Sequence, residues 1–486
     1  MLKIDQSRRS ISRGKEHDRL YQEESSGSMK AALVFPGISE SGFNRTGSRL
    51  PFTWVHHGLA SLGANMKKER HQVDCIDLRQ LAGWDEYRAK VAELKPRVLG
   101  ITMMSVDYDN AIHAARIAKE LDPQLIVVVG GPHPTLMPDE VASHGCIDHI
   151  VLGEGEISLN DLLKDIDRGI RPERIITGVM PDLDSLPFID RGLFGAEEVV
   201  IDGFLPRPFV TLIAGRGCLY NCSFCQPAER TMFGKKVRRR SVTNVIGEMK
   251  ALRDKYRFNS FMLHDDCLTE DEAWVREFCG SYEREKFRKP FVCQSRADIV
   301  CKNENMARSL KRAGCAMMMI GFESGSQRVL NFLRKGTTVE QNYAAAAICG
   351  RLGIRVWANF MLGIPTETNE DALATLRMIR MIKPYRASPS FFTPHPGSDL
   401  YTYCEERGLS LIRDHSSYSR SPLEPKIRGV DYEYLRWVLE ESTKIPLSVK
   451  LKRKTDSIGK KIRRHFAKRA VSQVASYQLS DVSEKK

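Results

Sequence analysis

Gly215-Arg216-Gly217-Cys218-Leu219-Tyr220-Asn221-Cys222-Ser223-Phe224-Cys225 follows directly on an apolar run, Phe209 to Ala214, that reads as a strand. The spacing of its thiols is C-x3-C-x2-C. Three thiolates on one loop can bind three irons of a [4Fe-4S] cluster, which ordinarily takes four protein cysteines. The fourth iron is then open to a substrate or cosubstrate, the feature that also separates catalytic from structural zinc sites. Zinc on this loop would want a fourth ligand nearby, and the sequence holds no second C-x2-C or H-x2-H pair.

Moving outward, the strand before the loop opens a βα series. Its further strands are expected at Ser260 to His264, Phe291 to Gln294, Ala316 to Phe322, Val356 to Leu362 and Ser388 to Phe392, with helices such as Val242 to Tyr256 and Glu370 to Ile382 between them. Six strands are too few for a closed eight-fold barrel, so a partial, open (βα)6 barrel of the TIM type is expected. Upstream, Ala31 to Phe35, Val73 to Leu78, Val98 to Met104, Leu125 to Val129 and His149 to Leu152 alternate with helical patterns. Continuous apolar strands separated by helices imply a parallel sheet covered on both faces, a Rossmann-like or flavodoxin-like α/β domain whose ligand lies at the strands' C-terminal edge. The loops at that edge are Gly-rich: Gly130-Gly131-Pro132-His133-Pro134 and Gly153-Glu154-Gly155-Glu156. The expected layout is a mobile leader at 1–28, the Rossmann-like domain at 29–171, a proline-rich linker at 172–206, the barrel at 207–398 and a small helical C-terminal region at 399–486.

The chain has 486 residues, 42% apolar and 28% charged, and no run approaches the roughly 18 to 20 apolar residues of a membrane span. The N-terminus has no apolar h-region, so no export and a cytoplasmic location are expected. Twelve cysteines in such a chain read as thiols or metal ligands, not as a disulfide framework. Of the formal net charge of +13, the stretch Lys450 to Arg469 supplies +9, which argues for a local tail function and against a nucleic-acid-binding body. Ile458, Ile462 and Phe466 recur every four residues among those basic groups, the pattern of a cationic helix that can lie on an anionic membrane surface; a solvated basic helix has the same pattern.

On the cysteine motif, with Phe224 before the last thiol, the sequence resembles the radical S-adenosylmethionine superfamily. The resemblance implies that Cys218, Cys222 and Cys225 hold a [4Fe-4S] cluster whose open iron chelates S-adenosylmethionine. One-electron reduction, by a donor such as flavodoxin or ferredoxin, then yields a 5'-deoxyadenosyl radical. Gly321-Phe322-Glu323-Ser324-Gly325 is similar to the segment that approaches the ribose and methionyl parts of the cosubstrate, although an acid after a strand also serves as a helix N-cap. Gly363-Ile364-Pro365 resembles the turn near adenine and is equally compatible with an ordinary loop. Arg296 resembles a polar position facing the cofactor, with an exposed arginine as the competing reading. His264, Asp265 and Asp266 end the second barrel strand and could hold substrate or shuttle a proton; His395, after the sixth, could face substrate or serve structure alone.

Placed before such a barrel, the first domain resembles the cobalamin-binding domain of the class B radical enzymes, from about Lys30 to Leu163. The resemblance rests on Gly130, Gly131, Pro132 and His133 and on Gly153, Glu154 and Gly155, where missing Cβ atoms let the backbone approach a large corrin. It implies Ser105 as a hydroxyl contact to the nucleotide tail. The Asp-x-His-x-x-Gly loop that supplies a lower histidine to cobalt in the mutases is missing, so any cobalt should be free of that ligand. The implied function is methylation of an unactivated carbon of a small molecule or lipid. The alternative is a non-methylating relative, such as a tetrapyrrole oxidative cyclase or a lipid-modifying enzyme. A tRNA methylthiotransferase would need three further cysteines in the first domain, where only Cys75 and Cys146 stand.

Overall fold

In the computed structural model, the residues described are 27–37, 43, 52–53, 55–194, 198–199, 205–225, 228–419 and 424–444. Six strands form the first sheet: β1 (Lys30–Phe35), β2 (Gln72–Asp77), β3 (Val98–Thr102), β4 (Ile126–Gly130), β5 (His149–Leu152) and β6 (Ile175–Thr177), in spatial order β2-β1-β3-β4-β5-β6. Every neighbouring pair is parallel. The first five strands follow the flavodoxin-like order, in which the chain reverses direction across the sheet between β1 and β3 and opens a crevice there. Alternate residues of the strands feed two separate cores. Ala32, Val34, Leu99 and Ile101 face one layer of helices, and Ala31, Leu33, Val98 and Val128 the other. That two-sided burial is why the strands are apolar without a break.

The second sheet contains β7 (Phe209–Leu212), β8 (Ser260–Leu263), β9 (Phe291–Ser295), β10 (Cys315–Glu323), β11 (Arg355–Leu362) and β12 (Arg386–Phe391). They lie side by side in chain order, all parallel, and form the expected open six-stranded barrel. Its helices start where side chains cap them. Thr368 accepts the Asp371 backbone N–H while the Asp371 carboxylate accepts the Thr368 N–H, a capping box that fixes the start of Asn369–Ile382. After the barrel, the described part of the C-terminal region contains the helix Asp399–Glu406, the short helical turn His415–Tyr418 and the helix Tyr432–Thr443, the last packing through Tyr432, Leu435 and Val438 on Leu376 and Phe391.

The segment expected to be a linker is more ordered than its prolines suggest. It begins with β6, whose Ile175–Thr177 extends the first sheet, and Leu183 and Phe194 are buried. β6 is three residues long with two of them exposed, so it lacks the apolar run that marks the other strands. At the N-terminal end, Gly27 donates to Asp167 and Ser28 to the Arg70 carbonyl, so those two residues of the expected leader are tied to the first domain. The rest of the leader, the loop of 38–42 and the basic tail lie outside the described residues, and no described helix is long and apolar enough to cross a membrane.

Candidate functional site

Gly217 makes the cysteine loop possible, since it turns at φ +101° where a Cβ would stand 2.3 Å from the Lys236 carbonyl oxygen. Beyond it Cys218 is half-buried, Cys222 buried and Cys225 exposed. Arg296, at the end of β9, is 6% exposed, which removes the exposed-arginine reading. Its guanidinium lies 3.5 Å above the Tyr220 ring, with Nη1 3.8 Å from Cys222 Sγ and Nη2 donating to the Lys335 carbonyl at 2.6 Å. Three cysteine sulfurs on one loop, with a buried guanidinium beside the middle one, complement an anionic iron-sulfur cluster. The donor set and its charge therefore fit a thiolate-bound cluster.

Glu323 ends β10 at φ +62°, a left-handed conformation that costs a side chain about 1 kcal/mol or more, just past a register shift against β11. Its buried carboxylate accepts from Lys335 Nζ at 2.8 Å. Burial pushes the Lys335 ammonium down, and the adjoining Glu323 and Cys222 outweigh this, so it stays above its ordinary value. A Cβ on Gly321 would fall 2.2 Å from Glu323 Oε1 and 2.9 Å from Lys335 Nζ, so a larger residue there would have to displace this ion pair. Ser324 is fully buried, its Oγ 3.2 Å from Thr375 Oγ1 and accepting the Ser326 N–H at 3.1 Å. Phe224 is half-buried with Lys335 Nζ 5.9 Å from its ring centre. Gly363 turns at φ +75°, and its N–H donates to Glu367.

A cavity of about 300 Å³ runs from the crevice of the first sheet to the barrel. Leu33 of β1 and Gly100, Ile101 and Thr102 of β3 line its inner end, at the point where the strand order reverses. Gly130, Gly131, Pro132, Gly153, Glu154 and Gly155 form its rim, and Ile213, Gly215 and Arg216 of the barrel close the far side. A Cβ on Gly153 would meet nothing within 4 Å, and that on Gly131, at φ +114°, would strike the Met103 backbone at 2.9 Å. A glycine rim around an apolar slot fits a flat macrocycle with a nucleotide tail.

Arg216 bridges the two domains, with Nη1 2.5 Å from Glu154 Oε1 and Nη2 2.7 Å from Glu156 Oε1; Arg238 adds a contact of 2.6 Å to Glu154. Burial pushes the Glu156 carboxyl up, and the pairing with Arg216 outweighs it and holds the carboxyl below its ordinary value. A second tie joins His57 Nε2 to Thr211 Oγ1 of β7 at 2.7 Å. Burial holds His57 well below its ordinary value and lowers His56 to about 4, so this wall of the cavity is uncharged.

Ser105 and His133, expected beside the cavity, lie off it and hydrogen-bond each other at 3.0 Å; Thr102, three residues earlier, is the β3 hydroxyl that faces the cavity. Asp265 is buried, accepts the Ala214 N–H and lies 3.4 Å from Arg239, so it ties strands together; burial pushes it up to about 6. Burial lowers His264, and Asp266 beside it is exposed. His395 stacks on Tyr418 at 6.0 Å. Sequence reasoning missed Arg216, Lys335, His56 and His57. Lys335 has no spacing that marks it, whereas Arg216, two residues before Cys218 and followed by a glycine, could have been suspected from its place in the motif.

Two family models match the chain, a B12 binding domain over residues 47–163 and the Radical SAM superfamily over residues 212–379. The fold and the three-thiol loop define a radical S-adenosylmethionine enzyme. More particularly, the chain belongs to those members that carry a cobalamin-binding domain ahead of the barrel, and its cofactors are a [4Fe-4S] cluster, S-adenosylmethionine and cobalamin. It is 28% identical to an uncharacterized methyltransferase of Pyrococcus horikoshii, over 85% of this chain and 91% of that one. It is 27% identical to the anaerobic magnesium-protoporphyrin IX monomethyl ester cyclase of Rubrivivax gelatinosus, over 77% and 69%. Among solved structures, the radical methyltransferase TsrM of Kitasatospora setae, with cobalamin and cluster bound, superposes at a TM-score of 0.62 with 18% identity, over 81% of each chain. The cobalamin-dependent radical enzyme OxsB superposes at 0.59 with 18% identity, over 72% of this chain and about half (52%) of its own; at these identities the likeness is one of fold.

Proposed function

We propose that the protein methylates an unactivated carbon of a small molecule or lipid. The observation that carries this reading is one continuous cavity, which joins the glycine rim of the cobalamin-binding domain to Gly215 and Arg216, the approach to the cluster thiols. When bound, the cluster and S-adenosylmethionine supply hydrogen-atom removal from the substrate, and cobalamin supplies the methyl group.

The chain's own residues hold these parts in contact and keep water out. Cys218, Cys222 and Cys225 hold the cluster, with Arg296 as the fixed cation beside Cys222. Glu323, Ser324 and the Gly363 turn are the side of the barrel mouth given to S-adenosylmethionine. Gly130, Gly131, Pro132, Gly153 and Gly155 bring backbone close to the corrin, and Thr102 takes the tail contact first assigned to Ser105. His56 Nδ1 accepts the Leu59 N–H at 3.1 Å, which leaves the imidazole's proton on Nε2 and makes this ring a donor and not a cobalt ligand.

Reconstituted protein, methyl-labelled S-adenosylmethionine, a one-electron reductant and candidate substrates form the test. Label in the product together with 5'-deoxyadenosine is expected. 5'-Deoxyadenosine without transferred label overturns methylation and favours an oxidative cyclase, the reading supported by the Rubrivivax gelatinosus relative. For a lipid substrate the basic tail is assigned to an anionic membrane surface; flotation with anionic vesicles, equal for the full chain and one ending at Lys444, would overturn that assignment.

A further inference from the structure

His133 and Ser105 do not line the cavity, and the cluster they form beside it has its own chemistry. The His133 ring is 1% exposed. Its Nδ1 lies 3.0 Å from Ser105 Oγ, while Nε2 makes no hydrogen bond and faces Glu140 Oε2 at 3.3 Å. The other Glu140 oxygen, Oε1, is 3.1 Å from His415 Nε2. The three ligating atoms all lie within 4.8 Å of one another. His415 comes from the C-terminal region, on the turn His415–Tyr418, and its ring stacks on Tyr108 at 3.8 Å and 13°. Asp109 Oδ1 stands 3.8 Å from its Nδ1.

We propose that His133, Glu140 and His415 bind a divalent first-row transition ion, of which zinc is the probe, and that this ion fastens the C-terminal region to the cobalamin-binding domain. Three N and O ligands bound at roughly 2.0 to 2.2 Å must sit about 3 to 3.5 Å apart, the spacing of the two contacts made by Glu140. Two imidazoles and one carboxylate are a donor set for zinc or ferrous iron, and calcium or magnesium would call for more oxygen. The outer contacts are of the kind that metal-bound histidines make. A proton on His133 Nδ1, donated to Ser105, leaves the Nε2 lone pair aimed at a carboxylate, an arrangement that a cation between them turns from repulsive to attractive. His415 has a carboxylate behind its second nitrogen in the same way. Pro132 lines the cavity and His133 follows it, so the ion would also fix the rim that approaches the corrin.

The test uses the full-length protein with its cluster loaded, equilibrated with zinc, desalted, and measured for zinc and iron together. One zinc per chain is expected in the wild type and in C218A/C222A/C225A. His415→Ala and Glu140→Gln should lose it with iron unchanged, and Ser105→Ala should bind zinc about tenfold or more weakly. Zinc K-edge X-ray absorption on the wild type, which needs no variant to fold, should show two imidazoles and no sulfur. No zinc in the wild type, equal zinc in His415→Ala, or a sulfur shell would overturn the proposal. Because the triple-cysteine variant is expected to keep its zinc, failure here and failure of the radical reading are separate results.

Discussion

Glu323 and Lys335 show what single residues contribute to the barrel mouth. The two charges are buried together, and removing one leaves the other without solvent or partner, which costs about 3 to 5 kcal/mol. Lys335→Met should therefore lower unfolding stability by that amount in chemical denaturation and abolish S-adenosylmethionine cleavage, whereas Lys335→Arg should keep part of both. Glu367 adds a pH effect. Its Oε2 accepts the Gly363 and Ile364 N–H groups, Oε1 is buried without a partner, and burial pushes the carboxyl up to about 8. The folded value lies above the unfolded one, near about 4.3. The protonated carboxyl thus contributes stability that is complete below the unfolded value and is lost as pH rises through about 8. The denaturation midpoint should fall across that window in the wild type and fall less in Glu367→Gln. A midpoint equally pH-dependent in both would exclude Glu367 as the source.

At the scale of elements, the loops after β5 and β7 meet through Arg216, and this junction sets the cavity's width. Arg216→Ala leaves Glu156, whose side chain is 4% exposed, without its cationic partner and held by the uncharged Ser61 hydroxyl and a backbone N–H. A loss of about 3 kcal/mol is expected, together with weaker retention of cobalamin, read from the visible spectrum after gel filtration. Arg216→Lys should recover little, because an ammonium cannot serve two carboxylates as a planar fork does. The elements themselves were legible: apolar strands buried on both faces produce runs such as Ile126–Gly130, too short for an ordinary helix and set between helical patterns. Three kinds of feature were not legible. A three-residue edge strand, β6, carries too little pattern; His57 joins the cavity wall beside a contact with Thr211 of β7 that no local pattern announces; and the hydroxyl that lines the cavity is that of Thr102, the last residue of β3, because the strand ends before Ser105.

For the whole molecule, the division of labour follows from where the two cofactor sites lie. The cysteine loop, Arg296, Glu323 and Gly363 belong to the barrel alone, whereas the cavity is built from both domains. On the proposed function, cosubstrate cleavage draws on the first set of residues alone, and methyl transfer draws on both. Leu62 separates the two: it lines the cavity from the helix His57–Lys68 of the first domain, beside Gly155. A tryptophan there would occupy volume that the corrin nucleotide requires, at a site only half-buried and therefore able to give way. Leu62→Trp should lose cobalamin and label transfer by at least tenfold while 5'-deoxyadenosine formation stays within about twofold of the wild type. Cobalamin bound stoichiometrically by the variant would mean that the cavity is not the corrin's seat. Loss of 5'-deoxyadenosine in parallel would mean that the barrel cannot assemble its own site without the first domain's cofactor in place.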